Sequence, residues 1–155
     1  MLETPHVAIG AAIATKIPNP LLAIPLAFAS HFILDRIPHW NPHSYTEIQN
    51  NNKISQNTTV VALIDVGLSL GLGFFVASRA LPDYGHAATI ITASFASVSP
   101  DLIKSPFFLL GVRNGWIKKW VDFERSLQVE TENMILGLST QALLIAAALW
   151  WILAK

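Results

Sequence analysis

The sequence predicts an all-α fold: one helical membrane domain over residues 1–155, with about four spanning helices, a short N-terminal helix and an interfacial amphipathic helix. Three observations support this prediction. Apolar residues make up 52% of the chain, whereas only 13% are charged, against roughly 25% in soluble domains. The mean hydropathy is positive, at +0.46. Apolar runs of helical length alternate with short polar or proline-containing segments, so the lipid bilayer is the solvent that this composition favours.

The net charge and the absence of cysteine exclude several functions and kinds of site. Ten basic and ten acidic residues give a formal net charge of zero, so no general basic field attracts nucleic acid, and no nucleic-acid partner is expected. The chain has no cysteine, which excludes disulfides and thiolate metal ligands. No cleavable signal sequence is predicted, because Glu3 stands where such a signal carries basic residues. The composition predicts no particular oligomeric state.

The first two apolar segments are predicted to form a helical hairpin. Thr4 suits a helix N-cap and Pro5 the first helical position, so a short helix begins there. It continues over 7–15, a run too short to span a bilayer. Prolines within 17–20 indicate a tight turn, and a second apolar run follows over 21–34. The hairpin brings the start of the first helix towards the end of the second.

A histidine-carboxylate motif stands at the end of the second run, where three of the five histidines fall within 30–43. His31 and Asp35 are four residues apart, which places both side chains on one face of a helix. Beyond a proline that ends the helix, His39 and His43 follow at the same spacing. Imidazole with carboxylate is a ligand set for zinc, manganese or iron, and imidazole also serves as a general base. The alternative is a solvated helix end carrying polar residues.

His6 lies in the first turn of the N-terminal helix. Taken alone, a histidine at a helix start is more typical of a surface residue. It becomes a candidate ligand because the hairpin carries it towards the histidine-carboxylate motif. Gly10, one turn later, leaves that helix face thin enough for another helix to approach closely.

The middle of the chain combines a polar segment with a spanning helix. Residues 43–58 include an Asn-rich patch and are predicted to form an exposed loop. Residues 59–78 are long and apolar enough to span, with one charge, Asp65. An ionisable residue inside such a helix is costly, so Asp65 is a functional candidate, or else a structural partner for an arginine such as Arg36. A stripe of small residues favours close helix packing: Ser69, Gly73 and Ala77.

The second half of the chain predicts two further spans and the interfacial helix. A turn at 80–85 leads into an uncharged run over 87–98, which is predicted to end at the proline before Asp101. Aromatic and basic residues alternate over 115–127, a pattern typical of a helix lying in the lipid interface. The run over 134–154 has no charge and is the clearest spanning helix in the sequence.

Membrane topology places the candidate ligands on one side. Basic residues cluster between Lys104 and Arg125, which assigns that region to the cytoplasm. Counting spans back from it puts the N-terminus and the polar cluster on the cytoplasmic side, and His86 at the opposite end. Uncoordinated His39 and His43 are predicted to act as catalytic groups that manage protons. The predicted ligands of a divalent ion, zinc first and manganese second, are His6, His31, Asp35, Asp65 and Asp101.

Short motifs at these positions resemble those of bacterial inner-membrane metal-dependent hydrolases. The motifs are Thr-Pro-His at 4–6, Ser-His-Phe-Ile-Leu-Asp at 30–35 and Ser-Pro-Asp-Leu-Ile at 99–103. His-x-x-x-Asp followed by proline and histidine also resembles zinc-dependent phospholipases C and related helical nucleases. In this chain the Pro-Asp element follows the His-x-x-x-Asp element instead of preceding it, and it lacks a second aspartate.

The resemblance implies a divalent-metal-dependent hydrolase of a bacterial-type inner membrane. Its partner would be membrane lipid, and its substrate a small-molecule or lipid phosphoester. Two other classes remain open. In one, the polar cluster is a structural staple that holds a non-catalytic membrane protein together. In the other, Asp65 and the histidines relay protons or cations.

Overall fold

Seven α-helices form the secondary structure of residues 1–113 and 115–154, the part of the chain that the computed structural model describes. In chain order they are α1 (Glu3–Lys16), α2 (Pro20–Leu34), α3 (Ser44–Asn51), α4 (Gln56–Ser78), α5 (Tyr84–Leu109), α6 (Gly115–Leu127) and α7 (Met134–Leu153). Within these residues there is no β-strand, although an isolated bridge joins His39 to Glu130. The predicted all-α fold is confirmed.

Two helices, α4 and α7, are long and apolar enough to cross a membrane. Only 28% of the most apolar stretch of α4 and 17% of that of α7 is buried, so neither is the core helix of the bundle. α2 is apolar but has only 15 residues, and α5 does not meet both conditions. The structure therefore supports two of the predicted spans, and the four-span bundle remains a prediction.

The centre of the bundle is α1, which contacts α2, α4, α5 and α7. Its buried face consists mainly of small side chains, with Ala8, Ala11, Ala12 and Ala14 fully buried. A Cβ atom on Gly10 would lie 2.9 Å from the carbonyl oxygen of Ala93 on α5. This confirms that Gly10 admits a neighbouring helix at close range, and α5 is that helix.

The amino end of α1 is capped by Asp65, which lies on α4. Its Oδ2 accepts from the backbone N–H of Glu3 at 2.5 Å. Its Oδ1 accepts from the backbone N–H of Thr4 at 3.1 Å and from the Thr4 hydroxyl at 2.6 Å. The first N–H groups of a helix have no partner within it, so a carboxylate from a neighbouring helix satisfies them here. Arg36, the partner considered for Asp65 from the sequence, is exposed.

α5 continues through Pro100, where the sequence analysis predicted an end. A proline inside a helix removes the N–H that would bind the carbonyl four residues earlier, here that of Ala96. The Ser99 hydroxyl donates to the Ala96 carbonyl oxygen at 2.8 Å and replaces that bond. Helices buried in protein or lipid accept proline when a neighbouring hydroxyl does this. Asp101 therefore lies inside a continuous helix.

The polar segment over 43–58 is not a loop throughout, because it contains α3. Ile48 is the buried side chain of this short helix and packs with Phe107 of α5 and Val121 of α6. Isolated helices of this length are unstable in water, so α3 depends on these tertiary contacts. The local sequence pattern carries no sign of them, which is why the prediction of a loop was wrong.

Replacing Gly10 with alanine is expected to destabilise the bundle by about 1–3 kcal/mol, because the added methyl group overlaps the backbone of α5. Gly67→Ala is the matched control, since a Cβ at Gly67 meets nothing within 4 Å. This control is expected to gain about 1 kcal/mol from helix propensity. Thermal unfolding in detergent, followed by circular dichroism, measures both variants. Equal melting temperatures would contradict the close contact between α1 and α5.

Candidate metal centre

Three helices bring their polar side chains together at one end of the bundle. His6 comes from the first turn of α1, His31 from the last turn of α2 and Asp101 from α5. Each offers one ligand atom, and these atoms all lie within 4.8 Å of one another. The predicted hairpin of α1 and α2 places the two histidines side by side, with ring centroids 4.1 Å apart. The three residues could hold a metal ion.

The tautomer of His31 follows from its hydrogen bond. Its Nδ1 lies 2.8 Å from the carbonyl oxygen of Ser97, and because a carbonyl only accepts, Nδ1 must carry the proton. In neutral His31 the Nε2 lone pair then faces two carboxylates, with Oδ2 of Asp35 and Oδ1 of Asp101 each 3.5 Å away. A lone pair and carboxylate oxygens repel each other unless a cation or a proton lies between them. A ring held through Nδ1 with a free Nε2 is the usual arrangement of a metal-binding histidine.

His6 is fully buried, and neither of its ring nitrogens has a hydrogen-bond partner among residues 1–113 and 115–154. Its Nε2 lies 3.4 Å from Oδ1 of Asp35, within the range of an ion pair. Buried polar atoms in proteins normally have partners, because leaving them unpaired costs about 1–3 kcal/mol each. A cation bound among these groups would give the imidazole the partner it lacks.

Asp35 follows the last residue of α2 and lies beside both histidines. Its Oδ1 accepts from the amino group of Met1 at 2.6 Å, and its Oδ2 accepts from Nε2 of Gln128 at 3.0 Å. Both oxygens are therefore engaged. Asp35 is suited either to bind the ion directly or to hold the histidine rings in place.

Behind Asp101, a second layer of charged groups was not predicted from the sequence. Lys104 forms ion pairs with Asp101 and with Glu124, the latter at 2.8 Å. Trp120 donates its indole N–H to Oε1 of Glu124 at 3.1 Å. Burial raises the pKa of Glu124 to about 7, and Lys104 offsets only part of that effect. The available signals were the helical spacings of three and four residues that join Asp101 to Lys104 and Trp120 to Glu124.

Glu3 is a further acidic group that the sequence analysis did not select. Its Oε2 is buried and has no hydrogen-bond partner in the described part of the chain. Burial and the neighbouring charge of Asp101 raise the pKa of Glu3 well above its usual value. The signal for it was its position one helical turn before His6, which places the two side chains on the same face of α1.

A polar cavity of about 260 Å³ lies next to this centre. Glu3, Asp101, Lys104 and Glu124 line it, together with Gln128, which holds Asp35. Asp65, Arg125 and Glu130 also line it, and apolar side chains of α4, α5 and α6 form part of the remaining wall. The cavity gives a small ligand a route to Asp101, whereas His6 and His31 are fully buried.

Three other predicted site residues have different surroundings. Asp65 uses both carboxylate oxygens to cap α1. His39 is buried, donates its Nδ1 proton to the Ile37 carbonyl oxygen at 2.8 Å and accepts at Nε2 from Asn41 at 3.4 Å. Burial is the main cause that lowers the pKa of His39. His43 precedes α3 and is exposed. The contacts found for these residues join none of them to the histidine pair, and their predicted roles remain predictions.

Comparisons with known proteins do not assign the chain to a family. A scan against protein-family models, a search of curated proteins and a search of solved structures found no match to the chain.

Zinc is expected to raise the melting temperature of metal-free protein, because an ion that binds only the folded state stabilises it. At about 100 times the dissociation constant the gain is about 2.7 kcal/mol. His31→Ala is expected to lose this gain, whereas His43→Ala, which changes an exposed ring, keeps it. Thermal scans with and without a chelator measure the effect. An equal zinc response in His31→Ala would contradict a site at the histidine pair.

Proposed function

We propose that the chain is an integral membrane protein that binds a divalent metal ion through His6, His31 and Asp101, with Asp35 beside them, and hydrolyses a phosphoester. The observation that carries this proposal is the buried pair of imidazoles, whose free nitrogens face carboxylates next to a polar cavity. Two imidazoles with carboxylates form a ligand set for zinc, and manganese is the second candidate.

The distribution of side chains supports the membrane location. The bundle buries alanines and polar groups, while large apolar side chains point outwards, among them Leu63, Phe74 and Phe75 of α4. A soluble protein rarely exposes so much contiguous apolar surface, whereas lipid is a suitable solvent for it. Exposed Trp116 on α6 and Trp150 on α7 fit positions at the two lipid interfaces. We assign the metal centre to the cytoplasmic side, because most of the basic residues, including the cluster from Lys104 to Arg125, lie at that end of the chain's helices.

Membrane association is tested by alkaline carbonate extraction of membranes from cells that express the chain. We expect the protein to stay in the pellet, since α4 and α7 insert through apolar surface that raised pH does not weaken. A peripheral protein that binds through charge is released under the same conditions and serves as the control. Release of the chain into the supernatant would contradict the proposal.

The chemistry assigned to the centre follows from its groups. A bound divalent ion supplies Lewis-acid activation of a phosphoryl group and of water near neutral pH. Arg125 lines the polar cavity and is the cation that we assign to an anionic substrate, because Lys104 is already paired with Asp101 and Glu124. Glu124 lines it too, and with a pKa of about 7 it is suited to exchange a proton near neutral pH. Glu124 therefore replaces His39, whose ring nitrogens are both occupied, as our first candidate for proton transfer.

The choice of a phosphoester rests on the motif resemblance to bacterial inner-membrane hydrolases and zinc-dependent phospholipases C. It is compatible with Arg125 at the cavity and with a location where lipid head groups are available. A phosphoester linked to a lipid head group is therefore the substrate class that we propose.

A structural staple is the second candidate, and the complete burial of both histidines favours it. In that case the ion would hold α1, α2 and α5 together without reacting. Substitution of His31 would then abolish folding, whereas an enzyme variant would fold and lose only turnover. A proton or cation relay through Asp65 has less support, because that carboxylate caps α1.

Hydrolysis is tested with bis(4-nitrophenyl) phosphate, a water-soluble phosphodiester, and with added zinc or manganese. We expect turnover that chelator removes and that Asp101→Asn lowers by roughly 100-fold, because the variant loses a charged ligand. His86→Ala is the control, since His86 binds the Ala14 carbonyl oxygen at the other end of α1. Zinc-dependent stabilisation with no turnover in the parent protein would favour the staple.

A further inference from the structure

An apolar groove runs between α4 and α5 on the outside of the bundle. Its first part is a cavity of about 320 Å³, in which Gly73 of α4 and Ser94 of α5 are small, buried residues. A second cavity of about 350 Å³ lies next to it, towards the turn between the two helices. Phe74 and Ile91 line both cavities, so the two are neighbours along the groove.

The groove meets the polar cavity of the metal centre. Glu3 and Val66 line both the groove and that polar cavity. On α5, Leu102 lines the groove, whereas its neighbour Asp101 lines the polar cavity. A ligand with an ionic head and an apolar tail would therefore find a matching surface for each part on either side of this junction.

Beyond the junction, the groove extends over about 18 Å of α4, from Val66 to Ser78 at 1.5 Å per residue. Ser78 is the last residue of α4, so this length lies in the apolar part of the helix and ends at the turn before α5. A single acyl chain that begins at the junction would have apolar side chains beside it over this length.

We propose that this groove binds one acyl chain of a membrane lipid whose head group occupies the polar cavity. The inference rests on the proposed function, and it narrows the substrate to a lipid-borne phosphoester. The groove holds the chain against the buried residues between α4 and α5, so the head group is positioned beside Asp101 and Lys104. Lipids around the remainder of the bundle have no such link to the centre.

Photolabelling tests the groove without any measurement of activity. The probe is phosphatidylcholine with a diazirine near the methyl end of one acyl chain, mixed into detergent micelles with the purified protein. Phe74 and Phe75 are matched reporters, because both are phenylalanines of α4 with 59% exposure, and only Phe74 lines the groove. We expect about tenfold more label near Phe74, since groove binding adds apolar contacts for several methylene groups. Equal labelling of the two positions would overturn the proposal.

A pair of identical substitutions tests the groove. Leu70→Trp narrows the groove without touching the polar cavity, and Leu68→Trp puts the same side chain on α4 away from the three cavities. Both leucines are exposed, at 57% and 60%, so neither tryptophan has to enter the core. We expect Leu70→Trp to reduce labelling near Phe74 about tenfold and Leu68→Trp to leave it within about twofold. A similar effect of both substitutions would overturn the proposal.

Activity separates this proposal from the proposed function. Leu70→Trp is expected to slow hydrolysis of the long-chain lipid about tenfold while bis(4-nitrophenyl) phosphate, which has no acyl chain, reacts at the parent rate. If neither substrate reacts but Phe74 is labelled, the proposed hydrolase activity is contradicted and lipid binding in the groove is supported. If both substrates react equally in the two tryptophan variants, and Phe74 and Phe75 are labelled equally, the proposed hydrolase activity is supported and lipid binding in the groove is contradicted.

Discussion

The position of α1 among four other helices is the constraint on which the rest of the structure depends. A helix enclosed in this way cannot use water to satisfy the N–H groups of its first turn, so a neighbour must do so. Asp65 of α4 provides the acceptors. The same enclosure buries His6, one turn further on, and forces its ring against His31. The candidate metal centre is thus a direct consequence of packing a polar helix start inside the bundle.

Charge balance around the centre depends on helices that are distant in the sequence. His31, Asp35 and Asp101 alone would leave two buried carboxylates beside a neutral ring, an unfavourable arrangement. The positive charge of Lys104 balances the carboxylate of Asp101, and the carboxylate of Glu124 on α6 forms a second ion pair with Lys104. The aromatic face of α6 packs over this region, with Trp120 6.3 Å from the ring of Phe32 on α2. α6 therefore completes the electrostatics of the site as well as covering the end of the bundle.

Local sequence patterns were sufficient for some of this arrangement and not for the remainder. The turn at 17–20 and the spacing of His31 and Asp35 are local, so the hairpin and the meeting of His6 with His31 could be predicted. The continuation of α5 through Pro100 depends on one hydroxyl that replaces a lost hydrogen bond. A rule based on proline alone predicts the opposite outcome.

Long-range contacts account for the other differences between prediction and structure. Asp65 was selected because a charge inside an apolar helix is costly, and that reasoning identified an important residue. Its partners are backbone groups of α1, however, which a search for pairs of charged side chains does not consider. Lys104 and Glu124 are twenty residues apart on separate helices, and only the folded bundle brings them together. Two of the about four predicted spans meet the length and apolarity conditions, and the four-span bundle stays a prediction.

Anomalous diffraction at the zinc absorption edge tests the central claim most directly, because it locates the ion without reference to activity. The measurement uses crystals of the protein grown with zinc, and crystals soaked with chelator as the control. We predict one peak at about 2.0–2.3 Å from a ring nitrogen of His6, a ring nitrogen of His31 and an oxygen of Asp101 that chelator removes. A map with no peak between these side chains, or with peaks only at exposed histidines such as His43, would contradict the account.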